Sequence, residues 1–156
     1  MTISTTFASP IGELLLTASE TGLTGVYFPK SRRQEIGRAG ESDVLSATKQ
    51  QLGEYFARTR TTFDLPLEPS GTEFERRVWD LLRAIPYGTT TSYGALARHL
   101  GEPKDARAVG AANGKNPIPI IVPCHRVIGT NGDLTGFGGG LDLKRWLLVH
   151  EGALLV

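Results

Sequence analysis

The sequence has 156 residues, of which 40% are hydrophobic and 21% charged, and its formal net charge is +1 at pH 7. This composition is typical of a globular protein and excludes an intrinsically disordered chain, while a charge near zero argues neither for nor against a nucleic-acid partner. No run approaches the roughly 20 apolar residues of a membrane helix, so we expect no membrane association. With a single cysteine, and a start that lacks a signal-peptide pattern, we expect a cytoplasmic protein.

The N-terminal part predicts a small antiparallel sheet with one helix. Runs rich in β-branched and apolar residues are separated by turn signals at residues 2–9, 13–18 and 23–28. Residues 31–41 are polar and contain two glycines, which predicts a surface loop. Apolar residues then recur every three or four positions over residues 43–58, which predicts an amphipathic helix. Residues 62–67 are a candidate for a further strand.

The run Glu-Pro-Ser-Gly at residues 68–71 is typical of a linker. It predicts two domains, an α/β scaffold over residues 1–70 and a mostly helical domain over residues 71–156. The fold class is therefore α+β.

Helix signals dominate the second part. Thr72 and Glu75 have the spacing of a capping box, and the helix behind them must end at Pro86. Ser92 can cap a second helix that Gly101 closes. Leu143 to His150 has the periodicity of a last helix.

Residues 106–113 predict another helix, built almost wholly of small side chains with one arginine. Together with the helix before it and the turn between them, it fits a helix-turn-helix or an ordinary helical hairpin. Small side chains would let the helix backbone approach a narrow surface, such as the DNA minor groove of about 6 Å.

Cys124 lies behind a proline-punctuated apolar run, and we expect residues 117–127 to form a buried strand. A lone cysteine is usually a small buried hydrophobe. Here His125 follows it directly, Pro123 restricts the backbone before it, and Glu151 offers a carboxylate to orient an imidazole. These residues suit a nucleophile, a base and an orienting group. The three histidines are scattered, so we expect no metal site and no cofactor.

The glycine-rich run at residues 134–140 is not a phosphate loop, because no Gly-Lys-Ser or Gly-Lys-Thr follows it.

Seven short segments of the chain carry a resemblance to a known family. They are Tyr87-Gly88, Ser92-Tyr93-Gly94, Ala106-Arg107-Ala108-Val109-Gly110, Asn116-Pro117-Ile118-Pro119, Pro123-Cys124-His125-Arg126-Val127, Gly138-Gly139-Gly140-Leu141 and His150-Glu151-Gly152. In this order and spacing they resemble segments of the O6-alkylguanine-DNA alkyltransferases. The resemblance is close over residues 72–152. It implies a ribonuclease H-like N-terminal domain and a C-terminal domain with a winged helix-turn-helix.

The resemblance implies DNA repair by direct reversal. The family rotates an alkylated guanine out of duplex DNA and moves the alkyl group irreversibly to a cysteine, here Cys124, so each molecule acts once. His125 would take the thiol proton, Glu151 would orient that imidazole, and Tyr93 would donate towards the base. O4-alkylthymine is an expected second substrate.

The resemblance also implies contacts with DNA and with the flipped base. Arg107 would fill the gap that the base leaves. The expected minor-groove contacts are Ala106, Arg107, Ala108, Gly110, Ala111, Asn113 and Arg126. The expected pocket residues are Tyr93, Asn116, Pro119, Val127, Phe137 and Gly138. Phe137 stands where some members have tyrosine, and Gly138 where some have serine, which leaves the range of alkyl groups open.

Two other classes of function remain open from the sequence. A helix-turn-helix module without chemistry would bind DNA but leave Cys124 and His125 unexplained. A cysteine hydrolase would turn over repeatedly, although its base normally comes from elsewhere in the sequence. The expected partner is double-stranded DNA, and the expected state is a monomer, with cooperative binding on DNA left open.

Overall fold

The computed structural model describes residues 2–29, 37–101, 105–129, 132, 134, 137 and 139–155. The chain forms two compact units, Met1–Ser70 and Gly71–Val156. Among the helices described, none combines the length and apolar character needed to cross a bilayer.

The first unit holds a mixed sheet of four strands within the described residues, in the order β3-β2-β1-β4. The strands are β1 (Ile3–Ser9), β2 (Gly12–Ala18), β3 (Leu23–Tyr27) and β4 (Arg38–Ala39). The first three are antiparallel, and β4 runs parallel to β1. Helix α1 (Asp43–Phe56) is capped by Ser42, and its buried Leu45 and Leu52 belong to this unit's core.

Two sequence predictions for this unit need correction. Residues 38–39 form strand β4 instead of lying in a loop, because they find a free edge of β1; residues 30–36 lie outside the described residues. Residues 62–67 contribute only one bridge, between Leu67 and Leu23.

The second unit consists mainly of helices: α2 (Glu73–Arg83), α3 (Tyr93–His99), α4 (Ala106–Gly114) and α5 (Leu141–His150). The predicted capping box of Thr72 and Glu75 is present at the start of α2, and Ser92 caps α3. Helix α4 packs against both α2 and α3. Strands β5 (Thr91–Ser92) and β6 (Val127–Ile128) form a short parallel pair.

Residues 117–127 are buried for most of their length but are not the predicted strand. Three prolines in the run lack the N–H group that a strand must donate to its neighbour. Local hydrogen bonds replace a ladder: Val122 N donates to Ile118 O at 2.9 Å and Cys124 N to Val122 O at 2.8 Å. Cys124–Arg126 then form one turn of 3₁₀ helix before β6.

Ile120 lies within this run at a φ of 73°. A left-handed backbone costs a residue with a side chain about 1–2 kcal/mol. Burial of the Ile120 side chain, which is 1% exposed, offsets that cost. Tertiary packing, and not local preference, therefore shapes the segment before Cys124.

Candidate active site

Cys124 opens the 3₁₀ turn and is buried, with 5% of its surface exposed. Burial raises the pKa of its thiol to about 11, while a hydrogen bond from Asn116 and the charge of Lys144 act in the opposite direction. The thiol is therefore protonated at neutral pH. A reaction through sulfur must remove that proton as part of its mechanism.

His125 and Glu151 are paired as expected. Glu151 caps the C-terminus of α5, and its Oε2 lies 2.7 Å from His125 Nε2, with both side chains buried. Burial alone would raise the pKa of Glu151, but hydrogen bonds from His125 and Arg126 lower it to about 2. The carboxylate is thus ionised and must accept, so His125 Nε2 carries the proton that it donates.

The other ring nitrogen of His125 is then the one able to act as a base. Burial lowers the pKa of His125, against the opposing influence of Glu151, so the ring is neutral at pH 7. Nδ1 is buried and has no hydrogen-bond partner among the described residues. Its lone pair is the only proton acceptor left on the ring.

Arg126, expected to contact DNA, is buried in this network instead. Its Nε donates to Glu151 Oε1 at 2.7 Å, its Nη2 to Glu151 Oε2 at 3.0 Å and its Nη1 to Ile85 O at 2.7 Å. The guanidinium also lies over the Tyr87 ring, 5.6 Å from its centroid. Its burial and these three internal hydrogen bonds argue against the predicted DNA contact for Arg126.

Lys144 was missed from the sequence. It lies on α5 and is fully buried, and its charge acts on Cys124. Burial lowers the pKa of Lys144 to about 8, opposed by the attraction of Cys124. The available signal was its spacing, since Lys144 precedes the buried Leu147 and Leu148 by three and four residues and shares their stripe.

Asn116 braces the segment before the cysteine. Its Nδ2 donates to Val122 O at 2.8 Å, and its Oδ1 accepts from Ile118 N at 3.0 Å. Asn113 differs from its prediction as a DNA contact: it is 2% exposed and donates from Nδ2 to Cys124 O at 3.4 Å. The reason is its position on the face of α4 that packs inwards.

The opposite face of α4 is open. Arg107, Ala108 and Ala111 are exposed, and Ala106 and Gly110 are partly exposed. The partly buried Tyr93 stands at the start of α3 with its ring beside Gly110, where Cδ1 is 3.7 Å from the place of an added Cβ. Five of the seven predicted DNA contacts are thus at least partly accessible.

The other predicted pocket residues differ in how far they are buried. Pro119 and Val127 are buried close in sequence to Cys124, and Phe137 is partly exposed. Gly138 lies outside the described residues. The described part of the chain contains no cluster of three or more acidic, His or Cys side chains able to hold a metal ion.

Comparison with known families accounts for nearly the whole chain. Residues 73–153 match the DNA binding domain of 6-O-methylguanine DNA methyltransferase, and residues 3–69 match its ribonuclease-like domain. The chain belongs to the 6-O-methylguanine DNA methyltransferase family. Membership makes it a methyltransferase of DNA repair by alkyl transfer, and it sets aside the non-catalytic module and the cysteine hydrolase.

Individual members of the family are similar to this chain over most of its length. The methylated-DNA–protein-cysteine methyltransferase of Methanosarcina acetivorans is 49% identical over 150 residues, covering 94% of this chain and 96% of the relative. That of Mycolicibacterium paratuberculosis is 50% identical over 149 residues, covering 94% and 90%. A crystal structure of Mycobacterium tuberculosis OGT in complex with DNA has a TM-score of 0.90 at 46% identity, covering 97% of this chain and 93% of that one. The predicted α+β fold class is confirmed.

Proposed function

We propose that this chain repairs O6-alkylguanine in duplex DNA by moving the alkyl group irreversibly to Cys124. The observation that carries the proposal is the buried pairing of His125 with Glu151 at 2.7 Å, directly after the single cysteine. A nucleophilic thiol needs a base to remove its proton, and an oriented, neutral imidazole can be that base. A buried structural thiol needs none.

The transfer is a displacement at the alkyl carbon. As the Cys124 thiol gives up its proton, sulfur attacks that carbon, the C–S bond forms, and the bond between the carbon and guanine O6 breaks. His125 receives the thiol proton through Nδ1, with a water as carrier, while Glu151 accepts from Nε2. The nearby Lys144 ammonium stabilises the developing thiolate.

The electron pair of the broken bond goes to the guanine, which takes up one proton and leaves as ordinary guanine. We assign the uptake of this proton to help from Tyr93, whose hydroxyl donates towards the base in the proposal; its ring lies beside Gly110. The proton lost by sulfur is balanced by the proton gained by guanine. The product is a thioether, which has no route back to a thiol, so each molecule reacts once.

The open face of α4 is the proposed minor-groove surface. Its small residues let the helix backbone approach the groove, and Arg107 is exposed there to fill the gap left by an extruded base. Extrusion costs a few kcal/mol, least for a poorly paired lesion, so an inserted side chain offsets part of it. The protein would act as a monomer in the cytoplasm, where its thiol stays reduced.

Mass spectrometry after incubation with duplex DNA carrying O6-methylguanine tests this proposal. We expect a gain of one methyl group on Cys124, at most one equivalent per protein, and none in Cys124→Ser. A duplex with ordinary guanine is the control for non-specific alkylation. No gain by the wild-type chain, with DNA binding intact, would overturn the proposal.

The same assay with O4-methylthymine in the duplex tests the second proposed substrate. We expect slower methylation of Cys124, because the pyrimidine presents the same alkyl–oxygen bond on a smaller ring. Unmodified protein after complete reaction of the guanine substrate would remove O4-alkylthymine from the proposal.

A further inference from the structure

Two asparagines, Asn113 in the last turn of α4 and Asn116 two residues beyond its end, bind backbone carbonyls at and near the nucleophile. Asn116 Nδ2 donates to the carbonyl of Val122, and Asn113 Nδ2 donates to the carbonyl of Cys124 itself. The Cys124 carbonyl also accepts from Val127 N in the 3₁₀ turn. The peptide group that carries the thiol is therefore tied to α4 as well as to its own turn.

Asn113 makes this link at a cost to stability. Its Oδ1 is buried and has no hydrogen-bond partner among the described residues. A buried acceptor without a partner is unfavourable, and an apolar side chain of similar size would avoid the penalty. The amide therefore does something that a packing residue in its place would not do.

Ala112, the residue before Asn113, connects α4 to α2. Trp79 Nε1 of α2 donates to Ala112 O at 2.8 Å in a buried hydrogen bond. The last turn of α4 is thereby attached to α2 through Ala112 and to Cys124 through Asn113. The opposite face of the same helix carries the exposed Arg107 and Ala111.

We infer that Asn113 is a positioning residue for the transfer reaction, which holds the Cys124 backbone against the DNA-facing helix through its amide N–H. Because of this link, the position of α4 on DNA also sets the position of the Cys124 sulfur for attack. This role rests on the proposed function, since it needs Cys124 to be the acceptor. It is separate from the role of Asn116, which holds Val122 and the preceding turn.

Asn113→Leu tests the role because it keeps the size of the side chain and removes both the donor and the buried lone acceptor. The measurements are the dissociation constant for duplex DNA, the single-turnover methyl-transfer rate on saturating DNA, and the thermal midpoint. We expect an unchanged dissociation constant, a midpoint equal to or above that of the wild type, and a transfer rate lowered about fivefold to tenfold. The rate with free O6-benzylguanine should fall by the same factor.

Asn113→Ala replaces Asn113→Leu as the test variant if leucine does not fit in the core. For Asn113→Ala we expect the same loss of transfer rate and a lower thermal midpoint. Thr48→Val is the matched control: it removes one partly buried hydrogen bond, from Thr48 Oγ1 to Val44 O in the first unit, and should lower stability without slowing transfer. A wild-type transfer rate in Asn113→Leu would overturn the positioning role alone. Absence of transfer by the wild-type chain would overturn the proposed function and this role with it.

Discussion

Arg126 and Glu151 are joined by two hydrogen bonds, Nε to Oε1 at 2.7 Å and Nη2 to Oε2 at 3.0 Å, with both residues buried. Glu151 Oε2 also accepts from His125. The guanidinium therefore balances the charge of the carboxylate, and the imidazole can stay neutral while it is held in place. Arg126, which the family resemblance implied as a DNA contact, instead pairs with the carboxylate that holds the proposed base.

Replacing Arg126 should consequently affect folding and chemistry together. Arg126→Met removes the guanidinium that pairs with the buried Glu151 carboxylate, which we expect to cost about 3–5 kcal/mol in the free energy of unfolding. Transfer from free O6-benzylguanine and from duplex DNA should slow by equal factors. Urea unfolding and single-turnover kinetics measure the two effects. A loss confined to duplex DNA would show instead that Arg126 acts as a DNA contact.

Lys144 predicts a charge effect on the thiol. Its ammonium lowers the Cys124 pKa against the larger effect of burial, so Lys144→Met should raise that pKa further. We expect about tenfold slower labelling of Cys124 by iodoacetamide at pH 7, because each pKa unit removes tenfold of the thiolate. Lys49→Met makes the same change in the first unit, at a residue paired with Glu41, and should label at the wild-type rate. Equal labelling of the two variants would contradict the prediction.

The pH dependence of stability follows from Glu151. Its pKa is lowered from 4.5 to about 2 in the folded state. Between these values the unfolded chain binds a proton that the folded chain does not, so stability falls as the pH falls from about 4.5 to about 2. The contribution is on the order of 3 kcal/mol. The lowered pKa of His125 acts in the same direction, beginning below its ordinary value of 6.5.

Comparing the stability of the wild type with that of Glu151→Gln measures the contribution of the Glu151 carboxylate. Urea unfolding at a series of pH values should show the wild type more stable than the variant at pH 7, with the difference shrinking as the pH falls below 4.5. A difference that stays constant down to pH 2 would mean that Glu151 titrates normally in the folded protein.

Replacing Arg107 should slow the reaction on duplex DNA but not the reaction with a free base. Arg107→Ala removes an exposed side chain from α4 without touching the network around Cys124. We expect reaction with free O6-benzylguanine at the wild-type rate and at least tenfold slower transfer from duplex DNA, since the extruded base loses its replacement. Arg76→Ala, at an exposed position on α2, is the control. Equal loss on both substrates would argue against a role in extrusion.

Sequence alone determined the features that depend on neighbours along the chain. The capping box of Thr72 and Glu75 and the Ser92 cap each close within three residues, so they could be predicted from spacing. The pairing of His125 with Glu151 came from their chemical types and from the family resemblance. The prediction of a strand over residues 117–127 was wrong, although its physical reason lies in the sequence: three prolines there lack the N–H groups that a strand needs.

Only the tertiary structure decided which way the decisive side chains point. Arg126 finds its partners 25 and 41 residues away, in Glu151 and Ile85, and no local pattern encodes such distances. Asn113 and Arg107 share one helix but lie on opposite faces, one holding the Cys124 carbonyl and the other exposed. Lys144 is buried although lysine is usually at the surface. Burial and long-range partners set these three roles, because they depend on how the helices pack and not on the residues beside them.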